Sequence, residues 1–97
     1  MLLTPGAVTR INSGEKLVCL LHVKAIRPVI VEGGISRYRV LLSDGQSDIQ
    51  GMFSASQNQL FTNNTIVKNS IIEISDFLKY EVSGQTVIVP LSIKVVG

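Results

Sequence analysis

The 97-residue chain has no tryptophan, one cysteine and one histidine, and only 16% of its residues are charged. A single cysteine excludes an intrachain disulfide, and Cys19 with His22 leaves too few ligands for a Cys/His zinc site. The longest apolar run, 17–31, is broken by His22, Lys24, Arg27 and Pro28 and cannot serve as a bilayer-crossing helix. The N-terminus has neither the basic flank nor the long apolar stretch of a signal peptide. Net charge is only +2, which excludes a polybasic tail, so any anion binding must come from local clustering. No cofactor motif and no metal-ligand spacing occur, and neither a cofactor nor a metal is expected. Cys19 sits in an apolar run and reads as a small core hydrophobe, which fits a reducing intracellular compartment.

What is present is alternation. The 45% hydrophobic content is that of a globular chain, and 97 residues make one domain, 1–97. Thr4-Pro5 reads as an N-cap followed by a first-turn proline, opening a short helix over about 5–12 with Ala7, Val8 and Ile11 on one side. From Leu17 the period changes to two, with Leu17, Cys19, Leu21 and Val23 on one face and His22 and Lys24 on the other. Pro28 removes a ladder donor and ends this first strand near Arg27. Gly33-Gly34 centres a loop, a second strand follows over 37–43, and Asp44-Gly45 signals a hairpin into a third over about 48–54. A polar stretch, 55–69, suits a short helix and loops. A fourth strand begins at Ile71 and a fifth follows the Ser83-Gly84 turn. Val87, Val89, Leu91, Ile93 and Val95 are expected on one face, with Pro90 on the other marking an edge or bulge. Five strands with a helix between the third and fourth is the order of an OB-fold, an all-β Greek-key barrel with short helices. An SH3-like barrel lacks a helical insert of this length and ranks behind it.

Arg37 and Arg39 share a strand face because side chains repeat with a period of two. If the preceding loop closes symmetrically, Arg27 stands opposite Arg37 and three guanidiniums meet. Like charges opposed on a sheet cost about 0.2–1 kcal/mol per pair, so a purely structural position would be better filled by Thr or Val. The cluster therefore points to an anion site. Few aromatics are available to stack bases: Tyr38 points away from the arginines by parity and Phe61 falls in the helical stretch. Phe53 depends on register. A two-residue turn after the second strand sets Arg39 against Gln50 and sends Phe53 to the opposite side. A three-residue loop sets Arg39 against Gly51 and Arg37 against Phe53. In the latter case arginines rim an apolar groove, which suits an acidic amphipathic peptide helix.

The stretches LTPGAV (3–8), AIRPV (25–29), RYRVLLSDG (37–45), ASQ (55–57) and VIVPLSIKVV (87–96) resemble the N-terminal domain of the replication protein A large subunit. The resemblance spans the whole chain. It implies an OB-fold that is one domain of a longer nuclear protein, contacting its partner subunits through regions outside this chain. The implied function is recruitment of DNA replication, repair, recombination and checkpoint proteins through their acidic helical segments, with weak binding of single-stranded DNA. By position, Arg27, Arg37 and Arg39 match the family's cleft arginines. Gly51, Phe53 and Ser56 match its cleft wall, which favours the three-residue loop, and Val87, Val89 and Leu91 match its floor. Gln85 stands where animal members carry a basic residue, with Val82 beside it, and Lys79 is expected to restore part of that charge. The alternative is a domain that itself binds single-stranded nucleic acid, including a telomere-associated paralogue. Catalysis is not expected: Asp44 and Asp48 suit turn chemistry, and His22 has no partner visible in the sequence.

Overall fold

The computed structural model describes residues 3–97. Helix α1 (Ala7–Asn12) precedes strands β1 (Cys19–Val31), β2 (Gly34–Ser43) and β3 (Asp48–Met52). A 3-10 turn (Ala55–Gln57) and helix α2 (Gln59–Thr62) lead into β4 (Ile71–Val82) and β5 (Gln85–Val95). The strands close in the order β1-β2-β3-β5-β4, with β3 and β5 parallel and every other pair antiparallel. This is the OB-fold barrel that the element order predicts. Among the described residues, no helix is long and apolar enough to cross a membrane.

The core follows the period-two faces. Cys19, Leu21 and Val23 from β1 meet Val40 and Leu42 from β2, Ile72, Ile74 and Phe77 from β4, and Ile88 from β5. Burial pushes the Cys19 thiol up to about 11, with the nearby Asp44 charge adding to the effect, so it stays protonated and unreactive. Ala7, Val8 and Ile11 of α1 are buried in this core as well. Ser83 and Gly84, the two turn residues between β4 and β5, have φ of 52° and 79°. Such a pair of left-handed residues twists a tight hairpin in the direction its strands need.

Several local expectations are corrected. Thr4 does not cap α1; the cap position is Gly6, at φ 74°. Thr4 instead binds β1, its Oγ1 accepting from the Leu20 amide at 2.8 Å. The α1 amide of Val8 is satisfied from elsewhere, by Asp44 Oδ2 at 2.9 Å. β1 also runs through Pro28 to Val31. Tyr38, the partner of Pro28, turns its carbonyl toward the Phe53 amide on the other side. The Pro28 nitrogen therefore points to the free edge of β1, where no ladder bond is lost. Finally, β5 switches faces. Ile88 and Pro90 are buried, whereas Ile93 and Val95 pack partly on the core. Ser75 and Leu91 fall at register shifts between β4 and β5, and the extra residue at Leu91 reverses the parity.

Candidate functional site

Turn length decides where the arginines go. Val31 pairs with Gly34, so only Glu32 and Gly33 make the turn, and a register shift at Ser36 follows. Arg27 consequently stands opposite Arg39, and Val29 opposite Arg37. This corrects the expected Arg27–Arg37 pairing but keeps the three guanidiniums on one face. All three are exposed. The ion pairs among the described residues are Arg10–Glu15 and Lys24–Asp48, so none of the three has a carboxylate partner.

The β2–β3 connection is longer than either alternative read from the sequence. Ser43 pairs with Asp48, leaving a four-residue loop, 44–47. The Asp44 carboxylate holds it open: Oδ1 accepts the Gln46 and Ser47 amides at 2.8 Å each, while Oδ2 holds α1. Burial would raise this carboxyl, but the amides of Ser47, Val8 and Gln46 outweigh that and hold it below its ordinary value.

This register moves two expected wall residues into the core. Gly51 pairs with Val40, and a Cβ placed on it would lie 3.0 Å from Leu42 Cδ1. Phe53 is fully buried, edge-to-face with Phe61 at 5.1 Å, and Phe61 stacks on Tyr38 at 4.5 Å. Neither residue lines a cleft. Their places are taken by Gln50, opposite Leu41, and Met52, opposite Arg39. Counting the Asp44-bound Ser47 into the loop would have found both.

The other wall is the β4–β5 hairpin. With Ile88 and Pro90 turned inward, Val87 and Val89 face outward and are half-buried, and Leu91 is exposed. Tyr80 lies opposite Val87, Leu78 opposite Val89 and Val82 opposite the exposed Gln85. Tyr80 is 50% exposed, so this hairpin carries an accessible aromatic that its place in a long strand run does not single out. Lys79 does not add charge to the groove. It pairs with the core-facing Ile88, and its ammonium donates to Asn12 O at 3.0 Å, at the C-terminal end of α1.

Two depressions join across the middle of the face. One, about 280 Å³, lies among Ala25, Arg27, Arg39, Leu41 and Gln50. The other, about 250 Å³, lies among Arg39, Gln50, Val82, Ser83, Gln85 and Val87. Arg39 and Gln50 belong to both, which puts them at the centre of a groove along β3. Ser56 is exposed on the 3-10 turn just beyond β3, its hydroxyl 2.9 Å from that of Ser54. Gln57 and Asn58 tie this segment to Pro90 O and Ser36 O, each at 3.2 Å. The groove therefore has a cationic wall, a neutral floor of amide and thioether, and an apolar wall. Among the described residues no cluster of three or more His, Cys, Asp or Glu could hold a metal ion. Such a surface can bind an anion that also carries apolar groups.

Comparison with known proteins adds to this geometry. A family model described as "Replication factor-A protein 1, N-terminal domain" matches residues 3–97. A replication protein A 70 kDa DNA-binding subunit of Arabidopsis thaliana is 33% identical over 97% of this chain and 15% of its own length. Its counterpart in Xenopus laevis is 32% identical over 96% of the chain and 16% of its own. Replication factor A protein 1 of Schizosaccharomyces pombe is 26% identical, again over 96% of the chain and 16% of its own. The chain thus spans less than a fifth of each of these relatives.

Proposed function

This chain belongs to the replication factor-A protein 1 N-terminal domain family, and on that premise we propose that it is a docking module of a single-stranded DNA-binding complex. It recruits acidic, amphipathic segments of replication, repair and checkpoint proteins, and it works in the nucleus. The observation that carries this reading is the groove itself, where unpaired Arg27 and Arg39 lie across Gln50 from Val82 and Val87, with unpaired Arg37 next along the same face of β2. An acidic segment gains from the arginines at the encounter and in register, while its apolar side chains gain from Val87, Val89 and Leu91. The family is one of DNA-binding proteins rather than enzymes, and the module acts by binding alone.

Direct binding of single-stranded DNA is the second reading, favoured by the relatives' description as DNA-binding subunits and by the exposed Tyr80. One accessible aromatic on this face is a small stacking platform, so such binding rests on phosphates, is weak and falls steeply with salt. The test is a pair of titrations at matched salt, one with an acidic amphipathic peptide and one with a short single-stranded oligonucleotide. Tighter binding of the peptide is expected. Tighter oligonucleotide binding that persists at high salt overturns the docking reading in favour of the second.

A further inference from the structure

Two strands of the barrel run past their neighbours and leave a backbone edge open, and the two edges differ. β1 pairs with β4 over residues 19–22, so its later residues have β2 on one side and no strand on the other. That edge is guarded. Lys24 sits at a register shift, and Pro28 puts a nitrogen without a hydrogen where a neighbouring strand would bond. β4 past Ile74 is open in the same way, with β5 alone beside it. It carries no proline and no register shift over 78–82.

Alternation fixes which groups the β4 edge presents. Val82 and Gln85 flank the two-residue turn as a bonded pair, so Tyr80 and Leu78 also turn their backbone to β5. The Phe77 carbonyl turns the other way, to the Lys16 ammonium, opposite Pro90, which has no N–H to offer. Lys79 and Glu81 therefore point both backbone groups outward, and among the described residues nothing bonds to them there. Side chains alternate too. Leu78, Tyr80 and Val82 share one face and are 41%, 50% and 54% exposed, while Lys79 and Glu81 share the other.

We propose that this edge pairs antiparallel with the same edge of a second copy, about a two-fold axis between the two Tyr80 residues. The segment LKYEV (78–82) is complementary to itself about its centre. Lys79 of each copy stands opposite Glu81 of the other, and these two pairs exchange four backbone hydrogen bonds. On the other face Leu78 meets Val82 of the second copy at both ends, and the two Tyr80 rings meet in the middle. Sliding the register by two residues sets Lys79 against Lys79 or Glu81 against Glu81, so charge selects this alignment. Lys16 at one end and the Ser83-Gly84 turn at the other confine the pairing to five residues, about 17 Å of strand. An edge this short makes a small interface, with a dissociation constant on the order of 0.1 mM. The groove arginines of β2 lie three strands away and stay uncovered.

Sedimentation of the chain between about 10 µM and about 1 mM tests this, and wild type should pass from monomer to dimer across that range. Glu81→Lys sets like charges opposite one another at both pairs and should weaken the dimer about tenfold. The double variant Lys79→Glu with Glu81→Lys exchanges the charges and should restore it. Thermal melting checks that each variant is folded. Amide hydrogen exchange on the wild type needs no substitution: the Lys79 and Glu81 amides should gain protection at the high concentration, while those of Leu78 and Tyr80 are already bonded to β5. A chain still monomeric at the top of the range overturns the proposal and leaves the edge to an extended segment of another protein. Association that Glu81→Lys leaves intact, or that the charge exchange fails to restore, or that leaves the Lys79 and Glu81 amides unprotected, overturns it by placing the contact elsewhere.

Discussion

Cations on this barrel live under two regimes. Away from the groove four are satisfied, while Lys68 and Lys94 stand exposed and apart from one another. Arg10 binds Glu15, with Nε donating to Oε2 at 2.9 Å, and Lys24 reaches Asp48 at 3.0 Å. Lys16 lies 4.4 Å from the centre of the Phe77 ring and donates to that residue's carbonyl, while Lys79 closes the end of α1. Arg27, Arg37 and Arg39 are held together by register and face no carboxylate. The chain can partner a cation within its own fold and does so for Arg10, Lys16, Lys24 and Lys79. What sets these three apart is that they are clustered as well as unpaired, at a cost of some repulsion, and the proposed docking role accounts for that cost.

The most damaging test of that contrast is Arg39→Glu, at the centre of the groove. It replaces attraction with repulsion and should weaken an acidic peptide by more than about 100-fold, close to 2.7 kcal/mol. Its melting temperature should hold or rise slightly, because a carboxylate now lies opposite Arg27. Lys68→Glu carries the same charge change on an exposed residue outside the groove and should cost the peptide less than about twofold. Similar modest losses in both variants would mean that the peptide reads only overall charge.

Asp44 sharpens the comparison from the other side, because its charge is committed to the fold. Asp44→Ala frees the amides of Val8, Gln46 and Ser47 and should destabilise the domain by about 2 kcal/mol. Its pKa is lowered on folding, so its contribution is whole above the ordinary carboxyl value of 3.8 and is lost as pH falls through the lower folded value. Asp44→Asn should therefore flatten that part of the acid limb in urea melts taken across pH, while peptide affinity per folded molecule stays unchanged. An unaltered acid limb would show that other groups set it.

These two residues also show what could be read before the fold was known. Period two put Arg37 and Arg39 on one face, and nothing beyond the strand's geometry was needed for that. Alternation likewise gave the five strands and most of the core. Register was not legible, since it depends on turns whose length is decided by side-chain bonds. Asp44 widens one loop to four residues and so swaps Gly51 and Phe53 for Gln50 and Met52. The extra residue at Leu91 splits an unbroken-looking alternation between two faces. Lys79 was lost to the groove because the open carbonyl at Asn12 lies within its reach, a contact 67 residues away in sequence.

Arg27→Glu and Arg37→Glu rank next. Each flanks Arg39 rather than sharing its central position, so each should weaken the acidic peptide by about tenfold, near 1.4 kcal/mol. Since Arg27 faces Arg39 and Arg37 faces Val29, only Arg27→Glu forms a new cross-strand ion pair. It should melt slightly higher than Arg37→Glu, and the reverse order in thermal melts would contradict the register.

The smallest effect belongs to Lys24, which stands on the same strand as Arg27 but is already paired. Its bond to Asp48 is half-exposed at both ends, and exposed pairs of this kind contribute about 0.2–1 kcal/mol. Lys24→Gln should change stability by no more than that. It also releases Asp48, which borders the end of the groove near Gln50 and Gln85. An unpaired carboxylate there repels an acidic ligand weakly through solvent, so a loss of affinity below about twofold is expected, fading with added salt. The sign separates Lys24→Gln from a double variant with Asp48→Asn, which should recover the lost affinity because nothing negative is left to release. If Lys24→Gln instead cut peptide binding as far as Arg27→Glu, and Asp48→Asn failed to restore it, Lys24 would be contacting the ligand directly. Its pairing with Asp48 would then no longer set Lys24 apart from the groove arginines.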